Sequence, residues 1–209
     1  MRLPGATHLF TIRPEWTVAY AAEMKRRGLR VPFECITRAD RLDARTADAL
    51  AELGCFRVWI GSESGSQRIL DAMRRGVRVE QVREAVRLVQ ARGIQAGMFL
   101  MWGYEGEDLE DIEATVEHVK ACRPDTFLTT VSYPIKGTAF YNDLADKLVR
   151  LGEWRDSSDR DVRIRGRHSR RFYQHADDLL RRSMDQPTDE RRLASVRSAL
   201  RETYSEVEA

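Results

Sequence analysis

Two charged residues and three glycines carry the chemistry this sequence can offer. Glu63 stands in Gly61-Ser-Glu-Ser-Gly65, a carboxylate flanked by hydroxyls directly after the apolar run Val58-Trp59-Ile60. A short run of that kind is the pattern of a strand covered on both faces in a parallel sheet. Gly61 and Gly65 free the backbone where the strand stops. Arg38 ends a second strand-like run, Val31 to Thr37, and the loop Gly103 to Glu107 comes after a third, Ile94 to Trp102. Parallel strands bring their C-terminal ends to one rim, where α/β architectures bind ligands. There Arg38 can clamp a carboxylate by a two-pronged hydrogen bond. Glu63 can accept from ribose hydroxyls or an ammonium, and Gly61 and Gly103 let backbone amides approach a planar base. Such a rim suits a zwitterionic, nucleoside-containing ligand. The same stretch also reads as a polar βα turn that only starts a helix, with Ser64 or Ser66 as its N-cap.

Other chemistries find little support. No Ser-His-Asp order appears; His118 falls within an amphipathic helix, and His168 and His175 in an Arg-rich tail, so each reads as a surface or packing residue. Cys35, Cys55 and Cys122 are far apart and each lies in or next to an apolar segment, which reads as buried free thiols. None has the close spacing of a zinc or iron–sulfur chelate. No catalytic residue and no metal ligand are therefore assigned. The net charge of +2, from 35 basic and 33 acidic residues, implies no polyanionic partner. No stretch approaches the roughly 18 apolar residues of a membrane helix, and the N-terminus lacks a signal-peptide core. The expectation is a cytoplasmic protein with no membrane partner.

The elements that must position the rim alternate. A weak strand is predicted at Thr7 to Ile12, a helix from Pro14 to Arg27, a strand at Val31 to Thr37, and a helix from Asp43 to Leu53. Cys55 to Gly61 is the next strand, succeeded by helices over Ser66 to Met73 and Glu80 to Arg92. Ile94 to Trp102 is a strand, Asp108 to Cys122 a helix, Thr126 to Ser132 a strand, Tyr133 to Thr138 a loop and Ala139 to Leu151 a helix. A helix–Gly–strand junction recurs at Gly28, Gly54 and Gly93, and alternation of this kind implies a parallel sheet. With 42% hydrophobic residues the chain can build a core. Four or five βα units in about 150 residues make an open or partial barrel, since eight units take about 250. The fold class is thus α/β: a partial (βα) barrel over residues 1–151, a polar linker over 152–169 and a helical C-terminal extension over 170–209.

Gly54 to Gly76, with Trp59-Ile-Gly-Ser-Glu-Ser-Gly-Ser66 at its centre, resembles the fifth-strand segment of radical S-adenosylmethionine (SAM) enzymes. The branch it most resembles carries a cobalamin (B12)-binding domain ahead of the barrel. Phe99 to Glu107 is similar to the sixth strand and its loop, and Ser132 to Thr138 to the closing Pro-x-x-Gly-Thr segment. The resemblance runs from about residue 7 to 150 and implies an incomplete TIM-like barrel, with the segment of Arg38 and the Glu63–Ser64 pair contacting SAM. It also implies, for the family, a 4Fe–4S cluster, cobalamin and reactions such as methyl transfer. The family's Cys-x3-Cys-x2-Cys loop is absent from these 209 residues. The sequence therefore reads as the C-terminal part of such an enzyme, truncated or a remnant, that performs no radical chemistry alone. Its partners would be a SAM-like ligand and the missing barrel half or another chain. The alternatives are a non-catalytic SAM-, nucleotide- or partner-binding module and a nucleic-acid binder. The latter would use the arginines between Arg155 and Arg171, with Phe172 and Tyr173 for stacking, against which acids interleave with these arginines.

Overall fold

A computed structural model describes residues 10–151, 162–185 and 188–208. The described chain folds as two compact units, Met1–Leu100 with Glu113–Thr129, and Met101–Ile112 with Thr130–Ala209. The first unit takes up α1 (Pro14–Arg26), β1 (Phe33–Thr37), α2 (Ala44–Leu53), β2 (Cys55–Glu63), α3 (Gln67–Ala72) and α4 (Val79–Gln90). It also contains most of β3 (Gln95–Trp102), α5 (Leu109–Cys122) and β4 (Thr126–Val131). The four strands form one parallel sheet in the order β1-β2-β3-β4, so each strand pairs with the next in sequence across a helical crossover.

Local sequence accounts for the helices. Asp43 caps α2 by accepting from Thr46 N at 2.7 Å, and Gly54, at φ 96°, ends it in the left-handed conformation that glycine tolerates. Along α4 the stripe Val79, Val82, Val86 and Val89 is buried, as its spacing predicts. On β2, Val58, Ile60 and Ser62 are buried, whereas Arg57, Trp59, Gly61 and Glu63 are half-buried. The even-numbered row packs inward, and the odd-numbered row faces the less covered side.

Three predicted boundaries move. Of the strand predicted at Thr7 to Ile12, residues 7–9 lie outside the described residues, and residues 10–12 form a turn whose Phe10 N donates to Ile36 O at 3.1 Å. Strand β2 runs two residues past Gly61, to Glu63, because a register shift lets Gly61 pair with Phe99 and Glu63 with Leu100. Ser62 is the extra residue of that bulge. The helix predicted over 139–151 stops early, as α6 (Ala139–Asp143) and a 3₁₀ turn at Ala145–Lys147.

Beyond that turn the chain extends into β5 (Leu148–Arg150), paired antiparallel with β6 (Val162–Ile164). Leu148 and Val149 thus gain a non-local ladder that helical periodicity cannot announce. Strand β6 falls inside the stretch predicted as a polar linker, of which 152–161 lies outside the described residues. The second unit ends in α7 (Arg170–Ser183) and α8 (Glu190–Glu202), capped by Ser169 and Asp189 through Phe172 N and Arg192 N. Of the apolar positions that suggest a helical cap, Phe172, Leu179, Leu180, Leu193, Val196 and Leu200 are buried, whereas Tyr204 is exposed. Among the described residues no helix is long and apolar enough to cross a membrane.

The turn from β2 into α3 is pressed against α5. A Cβ on Gly65 would lie 2.5 Å from Ala114 O and 2.6 Å from Thr115 Cα, both backbone atoms that cannot step aside. Gly65→Ala is therefore expected to cost about 1–3 kcal/mol of stability, read as a lower urea midpoint at unchanged m-value. An unchanged midpoint would show that this approach is not close in solution.

Candidate functional site

The end of β2 is built from alternating anchors. Ser62 Oγ lies 3.1 Å from His118 Nε2, and Ser64 Oγ 3.1 Å from Thr115 Oγ1. Gly65 N donates to the same Thr115 hydroxyl at 2.9 Å, and Ser66 N to Ser64 Oγ at 3.1 Å. The side chains of Ser62, Ser64, Thr115 and His118 are all buried. Arg83 Nε donates to His118 Nδ1 at 3.3 Å, so the ring proton sits on Nε2 and His118 donates to Ser62. Between the two serines, Glu63 is turned to the other side, with a left-handed backbone at φ 60° that few carboxylate residues adopt.

Arg38 and Glu63 are brought into one network. Arg38 donates from Nε and Nη2 to the two carboxylate oxygens of Asp40, at 2.9 and 3.1 Å, and from Nη2 to Arg75 O at 3.0 Å. Arg75 Nη2 in turn donates to Glu63 Oε1 at 2.8 Å. Arg38 Nη1 and Glu63 Oε2 make no hydrogen bond among the described residues, which leaves one donor edge and one acceptor. Burial pushes the Glu63 carboxyl up, and the charge of Arg75 offsets only part of that rise. Arg38, Arg41, Thr11 and Ile12 line a recess of about 390 Å³.

Gly61 lies beneath this network: a Cβ there would meet Arg75 Nη2 at 3.0 Å and Glu63 Oε1 at 3.1 Å. Ser64 points the opposite way, fully buried against Thr115. Ser64 is also the half of the capping alternative that the geometry supports, because its hydroxyl takes Ser66 N, whereas Ser66 makes no side-chain cap. Gly103 belongs to the second unit, at φ 74° with its N donating to Glu107 Oε2. A Cβ on it would lie 2.9 Å from the Tyr173 ring. Phe172 and Tyr173, predicted to be available for base stacking, are buried, which removes them from that role as folded.

Sequence reasoning missed Arg75, Thr115 and His118. Arg75 reaches Glu63 across a short helix, and the α5 residues reach β2 from 50 or more positions away, so no local pattern marks them. Asp40, only two residues from Arg38, was not singled out either.

The thiols do not fit an iron–sulfur cluster. Cys35 and Cys55 face each other at 3.9 Å, and their mutual hydrogen bond and then burial push the Cys35 thiol well above its usual range. Burial raises Cys122 to about 11. A cluster needs thiolates, and among the described residues no group of three or more His, Cys, Asp or Glu is placed to hold a metal. Nothing in the described donor set holds a cluster.

The fold is thus a parallel α/β sheet whose strand ends gather an arginine, a carboxylate and a close-packed glycine at the carboxyl edge, the edge at which open α/β sheets take their ligands. Residues 9–119 match the Radical SAM superfamily, and the chain belongs to it. It is 29% identical over 148 residues to an uncharacterized methyltransferase of Pyrococcus horikoshii, covering 70% of this chain and 32% of that protein. It is 32% identical over 123 residues to the tRNA-2-methylthio-N(6)-dimethylallyladenosine synthase of Chlorobium phaeovibrioides, covering 57% of this chain and 27% of that protein. The chain thus spans about a third of the curated relatives it matches, or less. Its fold is similar to that of TsrM from Kitasatospora setae, a radical S-adenosylmethionine methyltransferase solved with cobalamin and a 4Fe–4S cluster bound. That likeness has a TM-score of 0.59 at 22% identity, covering 66% of this chain and 29% of TsrM.

His118 ties the site to acid stability. Burial, and next the charge of Arg83, lower its pKa from 6.5 to about 4. Between those values the unfolded chain binds the extra proton, so stability rises with pH there and is lost as pH falls. Unfolding free energy is expected to drop by about 2 kcal/mol between pH 7 and pH 5 through this group. Urea titrations at the two pH values should show that loss, and His118→Gln should remove it. A slope that persists in the variant would assign it to other groups.

Proposed function

We propose that this chain carries the SAM-binding rim of a radical SAM protein of the cobalamin-dependent, methyltransferase-like type, and supplies no iron–sulfur centre of its own. The observation that carries this reading is Glu63, a carboxylate held on a bulge in a left-handed conformation, with one oxygen uncommitted beside the Arg38 network. Backbone strain of that kind persists only where surrounding structure enforces it, and it clusters at ligand sites.

In this reading Glu63 Oε2 accepts from the ribose hydroxyls of SAM, and Arg38 Nη1 donates to its carboxylate. Gly61 lets backbone approach the adenine, the part that the sequence also assigns to Gly103. Ser64 acts behind the strand, holding the turn that presents Glu63. A 4Fe–4S cluster would supply reducing chemistry toward SAM and cobalamin would supply methyl-transfer chemistry, were either held beside this rim. No residue of this chain is assigned to hold either. The relatives' printed activities support methyl or methylthio transfer as the reaction class. The three buried thiols favour the companion reading, a rim that binds SAM without cleaving it.

Calorimetric titration of the anaerobically purified chain with SAM, before and after attempted iron–sulfide reconstitution, tests both parts. Saturable binding is expected, at least about tenfold weaker in Arg38→Ala and in Glu63→Ala, with no iron retained. Stoichiometric iron uptake would overturn the assignment of the cysteines. SAM binding indifferent to both substitutions would overturn that of the rim.

A further inference from the structure

The second unit holds a cavity of about 350 Å³ that the proposed rim does not use. That volume accommodates a small organic ligand. Three segments enclose it: the loop 103–108, the stretch from Phe140 to Lys147, and the turn 164–168 after β6. Tyr104 and Phe140 stack within it, ring centroids 5.1 Å apart and planes 14° from parallel. The Arg167 guanidinium lies 5.9 Å over the Tyr173 ring.

The hydrogen-bonding capacity around this cavity is lopsided. Its acids are held in place: Glu105 by Lys147, Glu107 through Oε2 by Gly103 N, with its Oε1 buried and outside any hydrogen bond among the described residues, and Asp108 by the amides of Glu110 and Asp111 at the start of α5. Its arginines keep donors open. Arg167 uses Nη1 on Ser132 O at 2.6 Å, while its Nε is buried without a partner. Its Nη2 also makes no hydrogen bond among the described residues. Nε and Nη2 form one edge of the guanidinium, the edge that takes a carboxylate in a two-pronged bond. Arg165, exposed at the cavity wall, makes no side-chain hydrogen bond among the described residues. His168 adds no competing cation: packed between the rings of Phe172 and Tyr204, at 4.4 and 4.7 Å, it has its pKa lowered by burial. Unspent donors beside stacked aromatic faces are the chemistry that receives a flat anion.

We propose that the second unit binds a planar aromatic carboxylate here, its ring against Tyr104 and Phe140 and its carboxylate on the open edge of Arg167, with Arg165 at the mouth. A neutral ring of the same shape would leave the Arg167 edge unsatisfied. A bare inorganic anion would leave the aromatic wall unused.

The test compares 2-naphthoate with the neutral 2-naphthamide by calorimetry on the full chain. One molecule of naphthoate is expected to bind, with the amide at least about tenfold weaker. Arg167→Gln should abolish that difference, with the variant's fold checked by circular dichroism melting because Arg167 also holds Ser132 O. Arg165→Gln, an exposed change, should weaken the acid and leave the amide unaffected, and Tyr104→Ala should weaken both. Arg38→Ala and Glu63→Ala should leave naphthoate binding intact, which separates this cavity from the rim. Equal affinity for acid and amide, no binding of either at millimolar concentration, or displacement of naphthoate by SAM would overturn the proposal.

Discussion

The hydrogen bonds that fasten the end of β2 to α5 decide what the first unit can do. Ser62, Ser64 and the Gly65 amide all engage His118 or Thr115 on one side of the strand. With its neighbours fixed on that side, Glu63 has only the other to occupy. A left-handed backbone at a residue with a side chain costs about 1–2 kcal/mol. Three hydrogen bonds, two buried and one part-buried, contribute about 0.5–1.5 kcal/mol each, and releasing either buried one would strand a polar group away from water at a further cost. The anchors outweigh the strain, so the carboxylate is held rather than sampled.

That arrangement explains which parts of the molecule the sequence discloses. Elements of the first unit come from local signals: the valine stripe of α4, the Asp43 cap, the glycine stops at 54 and 93. Strand ends are disclosed too, since a buried parallel strand places its last residues at the carboxyl edge, and so the meeting of Arg38 and Glu63 in one network there is legible. The orientation of Ser64 away from Glu63 follows from strand alternation, since Ser64 continues the buried row of Val58, Ile60 and Ser62. Arg75 and His118 are not legible, because their partners lie 12 and 56 positions away. The helix predicted over 139–151 fails for the same reason. Leu144 and Leu148 have helical spacing, but Leu148 pairs with Ile164, a contact set by the fold and not by its neighbours.

The cysteines illustrate the opposite case, where an absence in the sequence becomes physical in the structure. Wide spacing argued against a chelate. The fold adds that Cys35 and Cys55 stabilise each other as thiols and that Cys122 sits 3.8 Å from the neutral ring of His118. All three are buried, without the exposure that lets a thiol become a ligand. A protein can thus belong to a family defined by redox chemistry while the described thiols of this stretch are not placed to hold a metal.

The ion pairs and hydrogen bonds around Arg38 fix it before any ligand is present. Asp40 grips Arg38 through two of its nitrogens, and the Arg75 carbonyl takes a third hydrogen bond. A guanidinium held at three points loses little further freedom when a ligand arrives, so more of the interaction remains as affinity. The pairing with Asp40 also keeps Arg38 firmly charged, its pKa raised above the usual value. Glu63 is tuned differently: burial makes its negative charge costly, and a hydroxyl donor at Oε2 would lower that cost where Arg75 alone does not. The network is therefore complete enough to fix its members and one partner short of satisfying Glu63.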